Sequence, residues 1–408
     1  MGRKVALVSC ARRKTGNASV AESLYTSDLF RKAGRLADQR FDSWYILSAK
    51  HGLLEPNQEI EPYDETLNRL ATDVRKAWAT RVEQQLGAVL LPEDEIFFFA
   101  GLRYREFLEP LLQERGFMTH APMAGLSIGR QLQWLSTQLA DKQRLADIDR
   151  FYDLLKRLTL NGVNGRIMGD SSGKLEWPKR GLYFFFDPDE RRFFDLNTCR
   201  VVRVGTHGVS QGSKSTLWGR LRTHRGSSDQ RGNHRGSIFR LHLGAALQAA
   251  RLVTEVPTWG IGQSADGGTK ASEVEVEKKV SEYLVRMAVI FLEVGDEPSA
   301  KSDRAYLERN VIGMLCGPRG PVDLPSESWL GRFSRSPEIR YSGLWNVDFV
   351  RFQYDPHFLD VLDRYVDVTL GRCPPPSGPL APSDWHSKQQ ERATTQLTLS
   401  FDDVAIKE

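Results

Sequence analysis

An α/β chain of two domains and a tail is the fold class this sequence predicts, and three observations predict it. Residues 1–145 alternate short apolar runs with stretches of helical spacing, the pattern of a three-layer α/β domain. A polar Gly/Asn/Ser/Lys connector then breaks the pattern before a second set of strands and helices opens near Lys179. Past Cys373 the run Pro-Pro-Pro-Ser-Gly-Pro-Leu-Ala-Pro-Ser reads as a linker. At 408 residues the chain is too long for one ordinary core.

Element by element, Lys4–Ser9, Ser43–Ser48 and Glu95–Gly101 are apolar enough to be strands buried on both faces. Helical spacing covers Ala21–Asp38, Asp73–Leu86 and Tyr104–Arg115. A helix over Ile148–Leu160 and the polar connector make residues 146–178 a helical linker. The second α/β domain, 179–372, opens with the strand Gly181–Asp187, carries a long helix over about Glu273–Leu292, and closes with Val361–Leu370. Residues 373–408 are expected to be a flexible tail.

No apolar run reaches the ~18–20 residues needed to cross a bilayer, so no membrane partner is expected. The opening residues read as a strand, with an apolar part too short for a signal peptide. Cys10, Cys199, Cys316 and Cys373 are far apart and show no CxxC spacing, which suits a reducing cytoplasm. The net charge of +4 decides little, but its distribution decides more. Between Val201 and Arg240 lie Arg203, Lys214, Arg220, Arg222, Arg225, Arg231, Arg235 and Arg240 against the single acid Asp229. Such a basic, glycine-rich stretch suits the phosphates of a nucleic acid. A solvated basic surface is the plainer alternative.

Within the second domain, Gly181-Leu182-Tyr183 opens a strand and Arg203-Val204-Gly205-Thr206 ends the next. Arg220 and His224 are four apart and share a helix face. Glu308 lies in Tyr306-Leu307-Glu308-Arg309-Asn310, and Asn346 in Ser342-Gly343-Leu344-Trp345-Asn346-Val347. This order resembles the GIY-YIG endonucleases over Lys179–Phe352. The resemblance implies that Tyr183 is the first motif tyrosine and Gly205 the glycine closing the second motif. It makes Arg220 the catalytic arginine, Glu308 the ligand of Mg²⁺ or Mn²⁺, and Asn346 the late asparagine. Arg203 stands where the second tyrosine is expected, so His207 and Lys214 remain alternative bases. Taken singly, Tyr183 could be a packing residue and Glu308 a solvated helix residue. Phosphodiester hydrolysis needs a deprotonated water and neutralised phosphate charge. Tyr183 with His224, Arg220, and a cation on Glu308 would supply these. Arg203, Lys214, Arg222, Arg225, Arg235 and Asn346 are candidate nucleic-acid contacts.

The N-terminal domain carries Ser9-Cys10-Ala11-Arg12-Arg13-Lys14, Leu24-Tyr25-Thr26-Ser27-Asp28, Tyr45-Ile46-Leu47-Ser48-Ala49-Lys50-His51-Gly52, and Ile60-Glu61-Pro62-Tyr63-Asp64. These resemble the YaaA-like domains of the peroxide-stress protein family over residues 3–138, which implies a link to DNA. Ligands of open α/β sheets bind at the carboxyl ends of strands. There Ser9, Lys14, Ser48, Lys50 and His51 would offer donors, and Tyr25 and Tyr63 stacking faces, to a flipped base. Asp64 could activate water or stabilise an oxocarbenium if the domain cleaves a glycosidic bond. It could equally be structural, as Gly52, Pro56 and Pro62 are turn residues and Tyr63 a packing one on the plainer reading. Cys10 reads as a small buried residue.

Near the C-terminus, Gln396-Leu397-Thr398-Leu399-Ser400-Phe401 resembles the peptide by which bacterial proteins bind the sliding clamp. Leu397, Leu399 and Phe401 would fill a groove and Gln396 its rim. The plainer alternative is a strand docked on the protein's own core. The combined expectation is a DNA-cleaving enzyme directed by a domain that recognises a base, with excision of that base as the alternative, in DNA repair or phage defence. Its rivals are a DNA glycosylase whose second domain only grips DNA, and a non-catalytic clamp-associated adaptor.

Overall fold

The structure is a computed structural model that describes residues 2–160, 165–227 and 232–385. The chain divides into two compact units, Met1–Lys142 and Gln143–Glu408.

Unit 1 is built on a five-stranded sheet. Its strands are β1 (Lys4–Ser9), β2 (Ser43–Ser48), β3 (Gly52–Leu54), β4 (Glu95–Phe99) and β5 (Met118–His120), in the order β3-β2-β1-β4-β5. All neighbours are parallel except the β2–β3 hairpin at one edge. Helix α1 (Asp28–Arg40) packs with α4 (Ile128–Ala140), while α2 (Thr72–Gly87) packs with α3 (Leu108–Glu114). Leu7, Leu47 and Phe98 share a core with Trp78, Val82 and Leu112 of the α2/α3 layer. The three apolar strand runs lie as expected, apart from the last two residues of the third. Two expected helices are interrupted. Ala21–Leu24 is separated from α1, because Tyr25 is extended and Ser27 caps the new helix by accepting from the Phe30 amide. Leu102–Arg105 is likewise separate from α3.

Unit 2 begins earlier than expected. Helix α5 (Lys142–Leu160) is no linker: Ile148, Phe151, Leu155 and Leu158 lie in one core with Leu182 and Phe184. Buried Arg144 donates to the carbonyls of Met314 (2.7 Å) and Gly320 (2.9 Å), tying the helix down by hydrogen bonds as well as by packing. Next come β6 (Arg166–Ile167), β7 (Gly181–Arg191), β8 (Cys199–Gly205), α6 (Leu217–Arg225), α7 (Ile238–Ala249), α8 (Gly267–Val285), β9 (Ala288–Glu293), α9 (Asp303–Leu315), α10 (Pro337–Ser342) and α11 (Phe358–Thr369). The sheet is antiparallel, in the order β8-β7-β9-β6. Strand β7 is apolar on both faces because helices cover both. Leu182, Phe184 and Phe186 face the core of α5, α9 and α11, whereas Tyr183 and Phe185 face that of α6, α7 and α8.

Two expectations are corrected here. The helix expected over Glu273–Leu292 ends at Val285, and its last residues form β9 at the centre of the sheet. A continuous apolar run carries no period by which strand and helix could be told apart. The proline-rich segment past Cys373 does not run free as far as residue 385. Buried Asp303 accepts from the amides of Leu380 (2.8 Å) and Ala381 (2.9 Å), and Trp385 is buried against Tyr306. The clamp-like motif at 396–401 lies outside the described residues. Among those residues no helix is long and apolar enough to cross a membrane.

Candidate active site

Strands β7 and β8 set the first feature of the site. Their register places Gly205 opposite Tyr183, and the tyrosine ring lies across the glycine. A Cβ at position 205 would collide with that ring and its hydroxyl, so the pair demands a residue without a side chain. Tyr183 is buried, and its hydroxyl sits 2.8 Å from Nε2 of His224 on α6. Nδ1 of the same imidazole is 2.7 Å from the Ser237 hydroxyl, which also accepts from the Arg240 amide at 3.2 Å as the N-cap of α7. Burial, reinforced by Arg203, Arg220 and Arg240, pushes the His224 pKa well below its ordinary value and keeps the ring neutral.

Arg203 pairs with Phe185 in the ladder and shares the Tyr183 face. It is buried, donates to the Trp345 carbonyl and lies 4.9 Å over the Phe239 ring, while its Nε has no hydrogen-bond partner among the described residues. Glu308, half-buried on α9, accepts from the amide of Thr206 at 3.1 Å, one residue past the strand end. Burial, aided by the charge of Asp348 and opposed by Arg203 and Arg220, raises its carboxyl to about 7. Asn346 clasps β8 through its side chain, donating to the Val204 carbonyl at 2.8 Å and accepting from the Val204 amide at 3.1 Å. Arg220, half-buried, donates to the Gly236 carbonyl at 3.2 Å. Tyr183, Arg203, Arg220, Glu308 and Asn346 all line one cavity of about 300 Å³, and Asp348 joins them.

The other basic residues divide. Lys214 and Arg222 are exposed and lie outside the cavity lining, and Arg225 donates to the Gly169 carbonyl. Arg235 does not fit a nucleic-acid contact, because its guanidinium is buried in a two-pronged pair with Glu273 at 2.6 and 2.8 Å. His207 is buried off the lining, with its pKa held near 4 by burial and by Arg304.

In unit 1 the structure gathers most of the candidate base-recognition residues at the carboxyl ends of β1 and β2. The Tyr63 hydroxyl is 2.7 Å from both the Tyr25 hydroxyl and the Ser48 hydroxyl, and the latter accepts from the His51 amide at 3.0 Å. The Lys14 ammonium stands 4.1 Å over the Tyr63 ring, and His51 meets that ring edge-on at 5.3 Å. Lys50 is exposed, 5.9 Å from the same ring, and Ser9 is half-buried at the end of β1. Burial raises the tyrosine pKa values and lowers that of Lys14. Cys10, which sequence reasoning set aside, lies 3.2 Å from the Tyr104 hydroxyl beside this cluster. Asp64 is exposed and reaches the cluster only through its attraction to Lys14.

Comparison with known proteins decides the family of unit 2. The GIY-YIG domain model matches residues 142–371, more than half of the chain. The chain belongs to the GIY-YIG family. Its activity is therefore of the nuclease type, with DNA as substrate. The match starts at 142, in agreement with α5 being part of the GIY-YIG core. Residues 5–137 match a family of unknown function, DUF6884. The uncharacterized protein YfjM of Bacillus subtilis (strain 168) is 26% identical over 150 residues, which is 35% of this chain and 99% of that protein. No solved structure matches the chain.

GIY-YIG nucleases are generally metal-dependent, and the side chains around the cavity can be weighed as donors for such an ion. Among the described residues no group of three or more His, Cys, Asp or Glu side chains is arranged to hold a metal. A hard divalent cation that keeps most of its water needs only one or two carboxylates. Glu308 and Asp348 beside one cavity meet that need, and a cation there would relieve the burial that raises Glu308. Sequence reasoning missed Ser237 and Asp348. The first had a signal, a serine directly before an apolar helical run.

Proposed function

We propose that this protein is a metal-dependent DNA endonuclease whose cleavage centre is the cavity lined by Tyr183, Arg203, Arg220 and Glu308, and that unit 1 directs it by recognising a base. The observation that carries the reading is the hydrogen-bonded series Ser237–His224–Tyr183 ending at the cavity that also holds Glu308. With the Nδ1–H of His224 donating a hydrogen bond to the Ser237 hydroxyl, the neutral Nε2 accepts from the Tyr183 hydroxyl. Tyr183 then turns an oxygen lone pair to the attacking water and orients it, while burial beside three arginines leaves His224 a hydrogen-bond acceptor too weak to hold the proton itself. Arg220 binds the non-bridging oxygens of the scissile phosphate, and Arg203 adds positive charge from the buried side. Glu308, with Asp348 beside it, would hold Mg²⁺ or Mn²⁺, and the bound cation would supply charge neutralisation at the leaving oxygen. Asn346 holds the end of β8 in place and leaves the reacting atoms to others.

In unit 1, Tyr25 and Ser48 are fully buried and hold the Tyr63 hydroxyl from within, so they do not offer stacking faces. The half-buried Tyr63 ring lies beneath Lys14, and that ring and ammonium suit a flipped base and its phosphate. This supports the YaaA-like reading of residues 3–138. Base excision gains nothing from Asp64, which lies exposed outside the hydroxyl series. The motif at Gln396–Phe401 would tether the enzyme to the clamp. DNA repair and defence against foreign DNA are settings that suit such a pairing.

Plasmid and modified phage DNA incubated with the full chain, with and without Mg²⁺ or Mn²⁺, test the proposal. Strand breaks that need the metal and vanish in Glu308→Gln are expected. Breaks of equal rate in that variant would show that the centre lies elsewhere.

A further inference from the structure

We infer that Arg309 is a second phosphate-binding arginine of the nuclease cavity, positioned by a stack in which the proline-rich C-terminal segment supplies one wall. The inference rests on the nuclease reading above and extends the site along the DNA strand. Arg309 follows Glu308 on α9 and lines the same cavity. Its guanidinium lies 4.6 Å from the Phe349 ring centre and 5.1 Å from that of Trp385. Contact with two aromatic rings restricts a side chain that otherwise has many rotamers, so less entropy is lost when it meets a phosphate.

Both aromatic walls are held by independent devices. Phe349 has φ of +62°, a left-handed conformation that bulky residues rarely adopt and that costs free energy unless its surroundings impose it. It lines the cavity three residues past Asn346, which is fastened to β8 at both its amide oxygen and its amide nitrogen. Trp385 comes from the segment after α11. That segment is anchored by the buried Asp303 carboxylate, which receives the amides of Leu380 and Ala381 and the Tyr365 hydroxyl at 2.6 Å. A proline-rich run that would otherwise serve as a tether thus returns to brace a cavity residue. Arg220 is placed for the scissile phosphate, and Arg309 takes a neighbouring one.

The test uses the full chain carrying Glu308→Gln, so that binding is read without cutting, and a short fluorescein-labelled duplex followed by anisotropy across a salt series. Loss of one phosphate contact lowers the slope of log K against log salt by about 0.9. Arg309→Gln is expected to show that loss. Trp385→Ala is expected to reproduce much of it, and Trp385→Phe, which keeps a stacking face, to restore it. In the otherwise unaltered enzyme, Arg309→Gln should raise KM several-fold while kcat changes little. An unchanged salt slope in Arg309→Gln overturns the inference. A wild-type slope in a folded Trp385→Ala overturns the positioning by the C-terminal segment. If Trp385→Ala fails to fold, Trp385→Leu, which fills the space without a ring face, takes its place: a lowered slope supports the positioning and a wild-type slope overturns it. Failure of the nuclease reading would look different: no metal-dependent cutting by the unaltered enzyme, with the slope difference still present.

Discussion

Both units bury a tyrosine hydroxyl in a series of hydrogen bonds, and the two series end differently. In unit 2, Tyr183 leads to His224 and then Ser237, so a neutral imidazole fixes the direction of the tyrosine hydroxyl, with Arg203 and Glu308 balancing charge nearby. In unit 1, Tyr63 leads to the hydroxyls of Tyr25 and Ser48, and among the described residues no carboxylate is hydrogen-bonded into that series. The first arrangement can orient a water and stabilise a developing charge. The second lacks a charged acceptor within its hydrogen bonds and sets a lysine over its ring instead. The difference is the ground on which cutting is proposed for one unit and base recognition for the other.

The largest effect should come from Glu308→Gln, which removes the carboxylate and leaves the shape. Cleavage should fall by at least about 10²–10³, the scale on which single electrostatic groups act. The same variant tests the pKa. The folded-state value near 7 lies above the ordinary 4.5 of an unfolded chain, so the folded state holds the proton more tightly. Stability from this group is complete below about 4.5 and is lost as pH rises through about 7. Thermal melts from pH 4 to 8 without divalent metal should show that decline in the unaltered protein and a flatter profile in Glu308→Gln. Identical profiles would place Glu308 in a more solvated setting.

Next is Tyr183→Phe, which keeps the ring over Gly205 and removes only the hydroxyl proposed to orient the water. A fall in kcat of about 10² is expected with KM little changed. A variant that cuts at the normal rate would show that the water is oriented without Tyr183. The arginines of the basic stretch allow a sharper contrast. Arg235→Gln strands Glu273 without its partner and should cost about 3 kcal/mol of stability while leaving the DNA salt slope intact. Arg220→Gln should do the reverse, with rate and slope both reduced and stability nearly kept. Urea melts and anisotropy on the two variants separate the cases.

The sequence made much of this legible where one residue type is forced. Gly205 had to be glycine because Tyr183 lies over it, and so the motif order pointed to the cavity. Strands β1, β2, β4 and β7 were visible because they are buried on both faces. Strand β9 was not, since an apolar run after a helix reads as more helix. Arg235 and Arg220 look alike in sequence, and only the fold sets one against Glu273 and the other beside the cavity. The return of the chain to Asp303 and Tyr306 was hidden because a proline-rich composition does not record which distant amides and side chains will be met.

The smallest expected effect concerns unit 1 and the base recognition proposed for it. Tyr63→Phe removes the one hydroxyl that joins Tyr25 to Ser48; the fully buried Tyr25 hydroxyl loses that partner, while Ser48 keeps the His51 amide. A stability loss of about 1–2 kcal/mol follows. The ring itself remains for Lys14 and for a stacked base. Preference for one DNA over another should therefore weaken more than cutting as a whole. Competition between modified and unmodified duplexes reads that preference directly. If Tyr63→Phe and Lys14→Gln both leave the preference intact, the hydroxyl series is a packing device, and unit 1 reads DNA through some other face.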